Sequence, residues 1–302
     1  MSTSRPTSAD HAAVGTGGSG PRIIGHRGAA LLEPENTMVS FRRALADGAD
    51  GIECDVHLSA DGEVIVMHDE TIDRTVLATS PIVSGALADL TREQLASIRV
   101  GFGHRQEGER SVAMKVGRMV QQKAADAARA VLDTDGDEDP GHDVPVLTDV
   151  LNLEAPQTLV EVKAPEAADA VGRILAERFG EQTYEDLADA PVVVISFYPD
   201  ALAAIRRSAP QVPIGLVVKT TNDEVYEKVA ELSAEMLCVH VITVGPEDRE
   251  RTREMGVELN LWTVNTEDHL RKGLEIGADS LSTDDSGWAR RTIAQNPVGE
   301  AS

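Results

Sequence analysis

PVVVISF at 191–197, PDALAAIRRS at 199–208, VPIGLVVK at 212–219, DEVYEKVAELSA at 223–234, MLCVHVIT at 236–243, EDRERTREM at 247–255 and VELNLWTV at 257–264 follow one another with almost nothing between them. The first, third, fifth and seventh are short β-branched and aliphatic runs, with the length and composition of buried strands. The stretches between are charged and helical in pattern. Strands separated by a helix's length of chain pair in parallel, because each crossover must return to the same end of the sheet. Outward from this core, the alternation adds strands at 22–26, 51–58, 158–163 and 279–283. Helices are expected at 36–47, 166–179, 266–276 and 285–294. Eight strands alternating with helices predict an α/β chain closed into a (β/α)8 TIM barrel. An open doubly wound sheet is the alternative, but its Gly-rich dinucleotide fingerprint is missing after the first strand.

The connection from the second strand to the third is too long for a βα loop and must hold structure of its own. An inserted subdomain is therefore expected between strands 2 and 3, over about 60–145. Val64–Met67 reads as a short strand delivering His68, and Thr91–Ile98 opens with a Thr-x-x-Gln cap. Lys115–Leu132 reads as helical and precedes the acidic run Asp133–Asp139. Residues 1–20, rich in Ser, Thr, Ala and Gly, read as a disordered leader, 21–295 as the barrel and 296–302 as a tail.

With 28 Lys and Arg against 51 Asp and Glu, the 302-residue chain carries a formal charge of −23. This argues against nucleic acid and anionic membranes as partners, since both need cationic patches. It suits a cation site. No apolar run is long enough for membrane insertion, and the N-terminus lacks a secretory pattern, so a cytoplasmic location is expected. Cys54 and Cys238 lie in apolar strand runs and read as core rather than as a disulfide framework.

Chemistry concentrates near the start. The chain runs Gly25-His26-Arg27-Gly28, Glu35-Asn36-Thr37, Glu53-Cys54-Asp55-Val56 and Met67-His68-Asp69. Alternation along a strand puts Glu53 and Asp55 on one face and Cys54 and Val56 on the other. Glu161 and Lys163 likewise share a face. Three carboxylates from two strands make an all-oxygen site, suited to Ca²⁺ or Mg²⁺ rather than zinc. Salt bridges across the barrel are the plainer use of Glu53 and Asp55, and Lys163 could simply neutralise Glu161. Two histidines, a side chain whose unperturbed form titrates near ~6.5, with a guanidinium and carboxylates are the equipment for metal-assisted phosphodiester cleavage.

In this order the blocks His26-Arg27-Gly28, Pro34-Glu35-Asn36-Thr37, Glu53-Cys54-Asp55-Val56, His68-Asp69 and Glu161-Val162-Lys163 resemble the glycerophosphodiester phosphodiesterase family. Ser196-Phe197, Trp262-Thr263-Val264-Asn265 and Gly277-Ala278-Asp279 with Thr283-Asp284 continue the match. The resemblance implies a phosphoric diester hydrolase that takes a small-molecule glycerophosphodiester to glycerol 3-phosphate and an alcohol. It assigns His26 and His68 to general acid–base catalysis and Glu53, Asp55 and Glu161 to one divalent cation. Arg27 and Lys163 would grip the phosphate, Trp262 would wall the alcohol, and a neighbouring substrate hydroxyl or water would attack.

Rival readings are a lysophospholipase D-like or other alkyl phosphodiesterase on the same fold, and a non-catalytic barrel binding a phosphate ligand or partner. His57 reads as a bystander, and His104, His142, His240 and His269 have no supporting neighbours. The role of Glu35 is open. Where the family ends its last strand with Gly-Ile-Ile-Thr-Asp-x-Pro, this chain has Ser280-Leu-Ser-Thr283-Asp284-Asp-Ser286, which puts that loop in question.

Overall fold

The computed structural model describes residues 20–102, 141–180 and 182–295. Apart from Gly20, the expected leader lies outside these residues, as do the tail, His104, the helix at 115–132 and the acidic run after it. Nine strands form one sheet: β1 (Arg22–Gly25), β2 (Gly51–Leu58), β3 (Val64–Val66), β4 (Thr158–Val162), β5 (Val192–Ser196), β6 (Ile214–Val218), β7 (Met236–His240), β8 (Glu258–Trp262) and β9 (Ser280–Thr283). Their order is β1-β9-β8-β7-β6-β5-β4-β2-β3, and β1 also pairs with β2. Every pairing except β2–β3 is parallel, so the sheet closes into an eight-stranded parallel barrel with β3 as an antiparallel appendage.

The α-helices are α1 (Met38–Ala46), α2 (Arg92–Ser97), α3 (Leu147–Leu151), α4 (Ala168–Phe179), α5 (Pro199–Ser208), α6 (Asp223–Leu232), α7 (Pro246–Met255), α8 (Glu267–Ile276) and α9 (Ser286–Gln295). Local signals set their ends. Thr37, Asn222 and Thr266 cap α1, α6 and α8 by accepting from backbone N–H groups in the first turn. Pro199 and Pro246 open α5 and α7, where a missing N–H costs nothing. At Thr91 the expected capping box forms with Gln94. The five-residue α3 is a helix that the sequence pattern did not announce.

Strand parity divides the core into two layers. Outward side chains such as Cys54, Val56, Val160, Val162, Val194, Val239 and Leu261 pack under the helices, against Phe41, Leu175 and Ile205. Inward side chains Ile24, Leu159, Val193, Ile195, Val217, Met236 and Cys238 fill the barrel, with Phe197 and Trp262 packed on them. Glu53 pairs in register with Leu159, and Asp55 with Glu161, which in turn pairs with Ile195. The three carboxylates thus take inward positions near the C-terminal end of the barrel, directly above its apolar filling.

The inserted segment has its own small core of Ile65, Met67, Ile72, Val76, Leu87, Leu90, Leu95, Ile98, Val100 and Val144. β3 pairs with the outer half of β2, Val56 opposite Val66 and Leu58 opposite Val64. The chain leaves β3 toward the barrel mouth and delivers His68 there.

Candidate active site

The turn after β1 is built before its side chains matter. His26 N–H donates to Thr283 O at 2.8 Å, and Gly28 N–H returns to Gly25 O at 3.0 Å. Arg27 then takes a left-handed backbone, φ 54°, as does Asn36, φ 56°. Non-glycine residues hold that conformation only where the surroundings fix it. Here Arg27 N–H donates to Glu53 Oε2 at 2.8 Å, and Arg27 O accepts from Asn36 N–H at 3.1 Å and Ser40 Oγ at 2.9 Å. Gly28 sits at φ 84° against the start of α1, where a Cβ would come within 2.5 Å of the Ser40 carbonyl carbon.

Glu53, Asp55 and Glu161 are buried, and one oxygen of each lies within 4.8 Å of the others. Asp55 accepts from Asn36 Nδ2 at 2.8 Å, lies 3.1 Å from Arg27 Nε and 3.5 Å from Lys163 Nζ. Lys163 Nζ donates to Glu161 Oε1 at 2.9 Å. Salt bridging, the plainer reading, is therefore present at Asp55 and Glu161, whereas Glu53 accepts from a backbone N–H. Glu53 Oε1 and Asp55 Oδ1 are buried without a hydrogen-bond partner. Unpartnered buried oxygens beside a third carboxylate fit a hard divalent cation, which binds oxygen ligands of this kind.

The two inner carboxyls titrate apart. Burial and then the charge of Asp55 push Glu53 up to about 8. Burial opposes ionisation of Asp55 as well, but Arg27, His68 and Lys163 hold it well below the usual carboxylate range. Burial would lower Lys163, yet Asp55 and Glu161 keep it above the ordinary ammonium value.

His26 and His68 stand beside these carboxylates, each oriented by another. His26 Nδ1 is 2.7 Å from Asp284 Oδ1, and His68 Nδ1 is 2.6 Å from Asp69 Oδ1. With Nδ1 engaged, Nε2 is the atom left to exchange a proton. Burial and Arg27 act to lower the His26 pKa, but Asp284, and then Glu53, raise it on balance. Asp284 is itself fixed by Asn265, whose Nδ2 donates to Asp284 Oδ2 at 2.6 Å and whose Oδ1 accepts from Asp284 N–H at 2.9 Å. The last-strand loop, in question from its sequence, thus carries the group that orients His26.

Glu35, whose role the sequence left open, accepts from Arg27 Nη1 at 3.0 Å and from both terminal nitrogens of Arg74, at 2.9 and 2.7 Å. Burial would raise its pKa, but Arg27 and then Arg74 hold it down. His57, read as a bystander, has Nε2 at 3.1 Å from His68 O, and burial lowers its pKa. His240 also gains a neighbour, packing edge-to-face on Trp262 with ring centroids 5.0 Å apart. Phe197 meets Trp262 in the same way at 5.5 Å, so the three rings line one side of the mouth. Ser196 is buried, donates to Val162 O at 2.7 Å and accepts from Tyr198 N–H, which fixes it as a structural hydroxyl. His142 pairs by its backbone with Val100, and His269 N–H donates to Thr266 Oγ1 at 3.2 Å at the start of α8.

Sequence reasoning gave no role to Asn36, Asp284, Asn265 or Arg74. The first three lie in blocks that carried the family resemblance. Arg74 had no signal beyond its place six residues after His68.

A family model of the glycerophosphoryl diester phosphodiesterases matches residues 26–287. The glycerophosphodiester phosphodiesterase of Caldanaerobacter subterraneus subsp. tengcongensis is 29% identical over 265 residues, covering 87% of this chain and 93% of its own. In fold, the chain is similar to a candidate glycerophosphoryl diester phosphodiesterase from Silicibacter pomeroyi, at a TM-score of 0.71 and 24% identity over 91% of this chain and 94% of the other. It is also similar to an Oleispira antarctica phosphodiesterase in complex with the product sn-glycerol-3-phosphate, at a TM-score of 0.68 and 20% identity over 91% and 97%. The chain belongs to the glycerophosphoryl diester phosphodiesterase family and is a phosphoric diester hydrolase, a glycerophosphodiester phosphodiesterase.

Proposed function

We propose that the enzyme hydrolyses glycerophosphodiesters to glycerol 3-phosphate and an alcohol, using His26 and His68 as the proton-transfer pair. The observation that carries this reading is the pair itself: two imidazoles flank one carboxylate cluster, each with Nδ1 tied to an acid. One imidazole Nε2 takes the proton of the attacking hydroxyl, from water or from the neighbouring hydroxyl of the substrate. The other gives a proton to the departing alcohol oxygen. Arg27 and Lys163 supply positive charge to the phosphoryl oxygens, and Trp262 with Phe197 and His240 walls the alcohol side.

Glu53, Asp55 and Glu161 would hold one Ca²⁺ or Mg²⁺. Bound there, the ion would supply charge to the phosphoryl group and bring its oxygens into register with the histidines. Arg27 pairs with Asp55 and Lys163 with Glu161, which holds both cations at the mouth.

Among the described residues no helix is long and apolar enough to cross a membrane. Cys54 and Cys238 are free and buried, which fits the cytoplasmic location we assign.

The test is glycerol 3-phosphate release from glycerophosphocholine, glycerophosphoethanolamine and glycerophosphoglycerol, each with EDTA and with added Ca²⁺ or Mg²⁺. Metal-dependent release is expected. His26→Ala and His68→Ala should each lose about 100- to 10,000-fold in turnover while remaining folded, and near-normal rates in both would refute the mechanism. Tyr198 and Ile242, 44% and 52% exposed on the loops after β5 and β7, favour a second reading. In it, the acyl chain of a lysophospholipid, carried on the glycerol that keeps the phosphate, lies across that rim, and a lysophospholipase D-like reaction gives lysophosphatidic acid and the head-group alcohol. Faster choline release from lysophosphatidylcholine than from glycerophosphocholine would select it.

A further inference from the structure

We propose that Arg74 is a positioning residue for His68, through which the inserted segment sets the orientation of that imidazole. This rests on the reading of His68 as a proton-transfer group.

The guanidinium uses its three nitrogens on two acids. Arg74 Nε donates to Asp69 Oδ2 at 2.5 Å, and its two terminal nitrogens donate to the two oxygens of Glu35 at 2.9 and 2.7 Å. The other Asp69 oxygen holds His68 Nδ1. Glu35 Oε1 also accepts from Arg27, and Arg27 Nε faces Asp55 at 3.1 Å. Charges of alternating sign therefore run Asp69–Arg74–Glu35–Arg27–Asp55, from the carboxylate that holds His68 to the carboxylate cluster.

Asp69 needs such a fixture. It follows His68 directly in the chain, its side chain is 28% exposed, and one hydrogen bond to an imidazole leaves its torsions free. A second, charge-assisted bond on its other oxygen fixes the carboxylate plane, and with it the ring it holds. Arg74 can do this because its own anchors do not move. Ile72 and Val76 on either side are buried in the insert's core, and Val76 N–H and Thr75 N–H both donate to Ile72 O. The planar fork of arginine meets Glu35 with two parallel bonds, a geometry lysine cannot copy. His57 holds the same residue from the backbone side, at His68 O. The imidazole is thus fixed at the main chain by the barrel and at the ring by the insert.

A double-mutant cycle on glycerophosphocholine hydrolysis, measured with saturating Ca²⁺ or Mg²⁺, tests the assignment. Arg74→Gln is expected to lower kcat about 10- to 100-fold, with KM and the metal half-saturation within threefold of wild type. In a His68→Ala background the same substitution is expected to cost less than twofold, because the group it orients is gone. Equal losses in both backgrounds would overturn the proposal while leaving His68 in its role. A His68→Ala enzyme as active as wild type would overturn both. Near-wild-type kcat in Arg74→Gln would overturn the proposal alone. Should Arg74→Gln melt below the assay temperature, Arg74→Lys, which keeps the charge and loses the fork, enters the same cycle with the same expectations.

Discussion

Gly28 and Gly62 have nearly the same positive φ, 84° and 85°, and opposite surroundings. A Cβ on Gly62 would meet nothing within 4 Å. On Gly28 it would lie 2.4 Å from Ser40 Oγ, 2.5 Å from the Ser40 carbonyl carbon and 2.8 Å from Phe41 N. The hydroxyl could turn away, but the other two atoms are backbone of α1, which is locked to β1 through Ala29 N–H and Ser40 O. A left-handed alanine costs about 1 kcal/mol at either site. The loss of unfolded-state freedom gives back about 0.4–1 kcal/mol at both. What remains is the overpacking at Gly28, about 1–3 kcal/mol.

Gly28→Ala should therefore be less stable than Gly62→Ala by about 1–3 kcal/mol in urea unfolding, read as a fall in midpoint at unchanged m-value. The activity effect should exceed the stability effect. Relief of the clash must move Arg27, whose N–H holds Glu53 and whose guanidinium faces Asp55 and Glu35. A displacement near ~1 Å at such a group costs about 100-fold in rate. Gly62→Ala, on the β2–β3 turn, should keep its turnover. Midpoints within about 0.5 kcal/mol of each other, or equal turnover in the two variants, would mean that close packing of the turn against α1 is not what places Arg27.

The remaining expectations address the charges. Asp284 raises the His26 pKa, and a histidine raised on folding contributes stability that is complete below ~6.5 and vanishes as pH climbs through the folded value. Asp284→Asn should thus be most destabilising near pH ~6 and progressively less so above; a pH-independent loss would deny the coupling. Burial pushes Glu258 up to about 7 despite its ion pair with Arg22, so the folded state holds a proton that the unfolded state has lost between pH ~4.5 and ~7. Glu258 should contribute roughly 3 kcal/mol at most to the fall of wild-type stability through that window, beside the share from Glu53, and Glu258→Gln should make the fall shallower; parallel curves would refute the assignment. Ca²⁺ or Mg²⁺ at 100 times its dissociation constant should raise the wild-type Tm by roughly 5–10 °C. Glu161→Gln should remove most of that shift, and a full shift in the variant would place the ion elsewhere.

Periodicity made the barrel legible. Runs of the VVVIS type can be buried only by pairing on both sides, and the charged stretches between them are long enough for parallel return. Parity then said which side chains look inward: Glu53, Asp55 and Glu161 rather than Cys54 and Val56. α3 escaped because five residues do not establish a period. The insert escaped in part because its order comes from isolated pairings, Thr71 with Ala86 and Val76 with Val100, that no repeat in the sequence marks.

Partnership was the harder matter, because parity gives a direction and not a neighbour. Asp284 reaches His26 across 258 positions of chain, and Arg74 reaches Glu35 across 39. Both contacts exist only because the barrel closes β9 onto β1 and the insert folds back over the mouth. The same gap explains why ligation and salt bridging looked like rivals in the sequence. No lysine or arginine lies in β2, so basic partners for Glu53 and Asp55 had to come from elsewhere. Closure brings them: Arg27 from the turn after β1 and Lys163 from the end of β4, converging on Asp55. A site proposed to hold both a cation and an anionic phosphodiester needs acids and bases interleaved. Asp55 and Glu161 therefore serve the salt bridges and the proposed ligation with the same carboxylates.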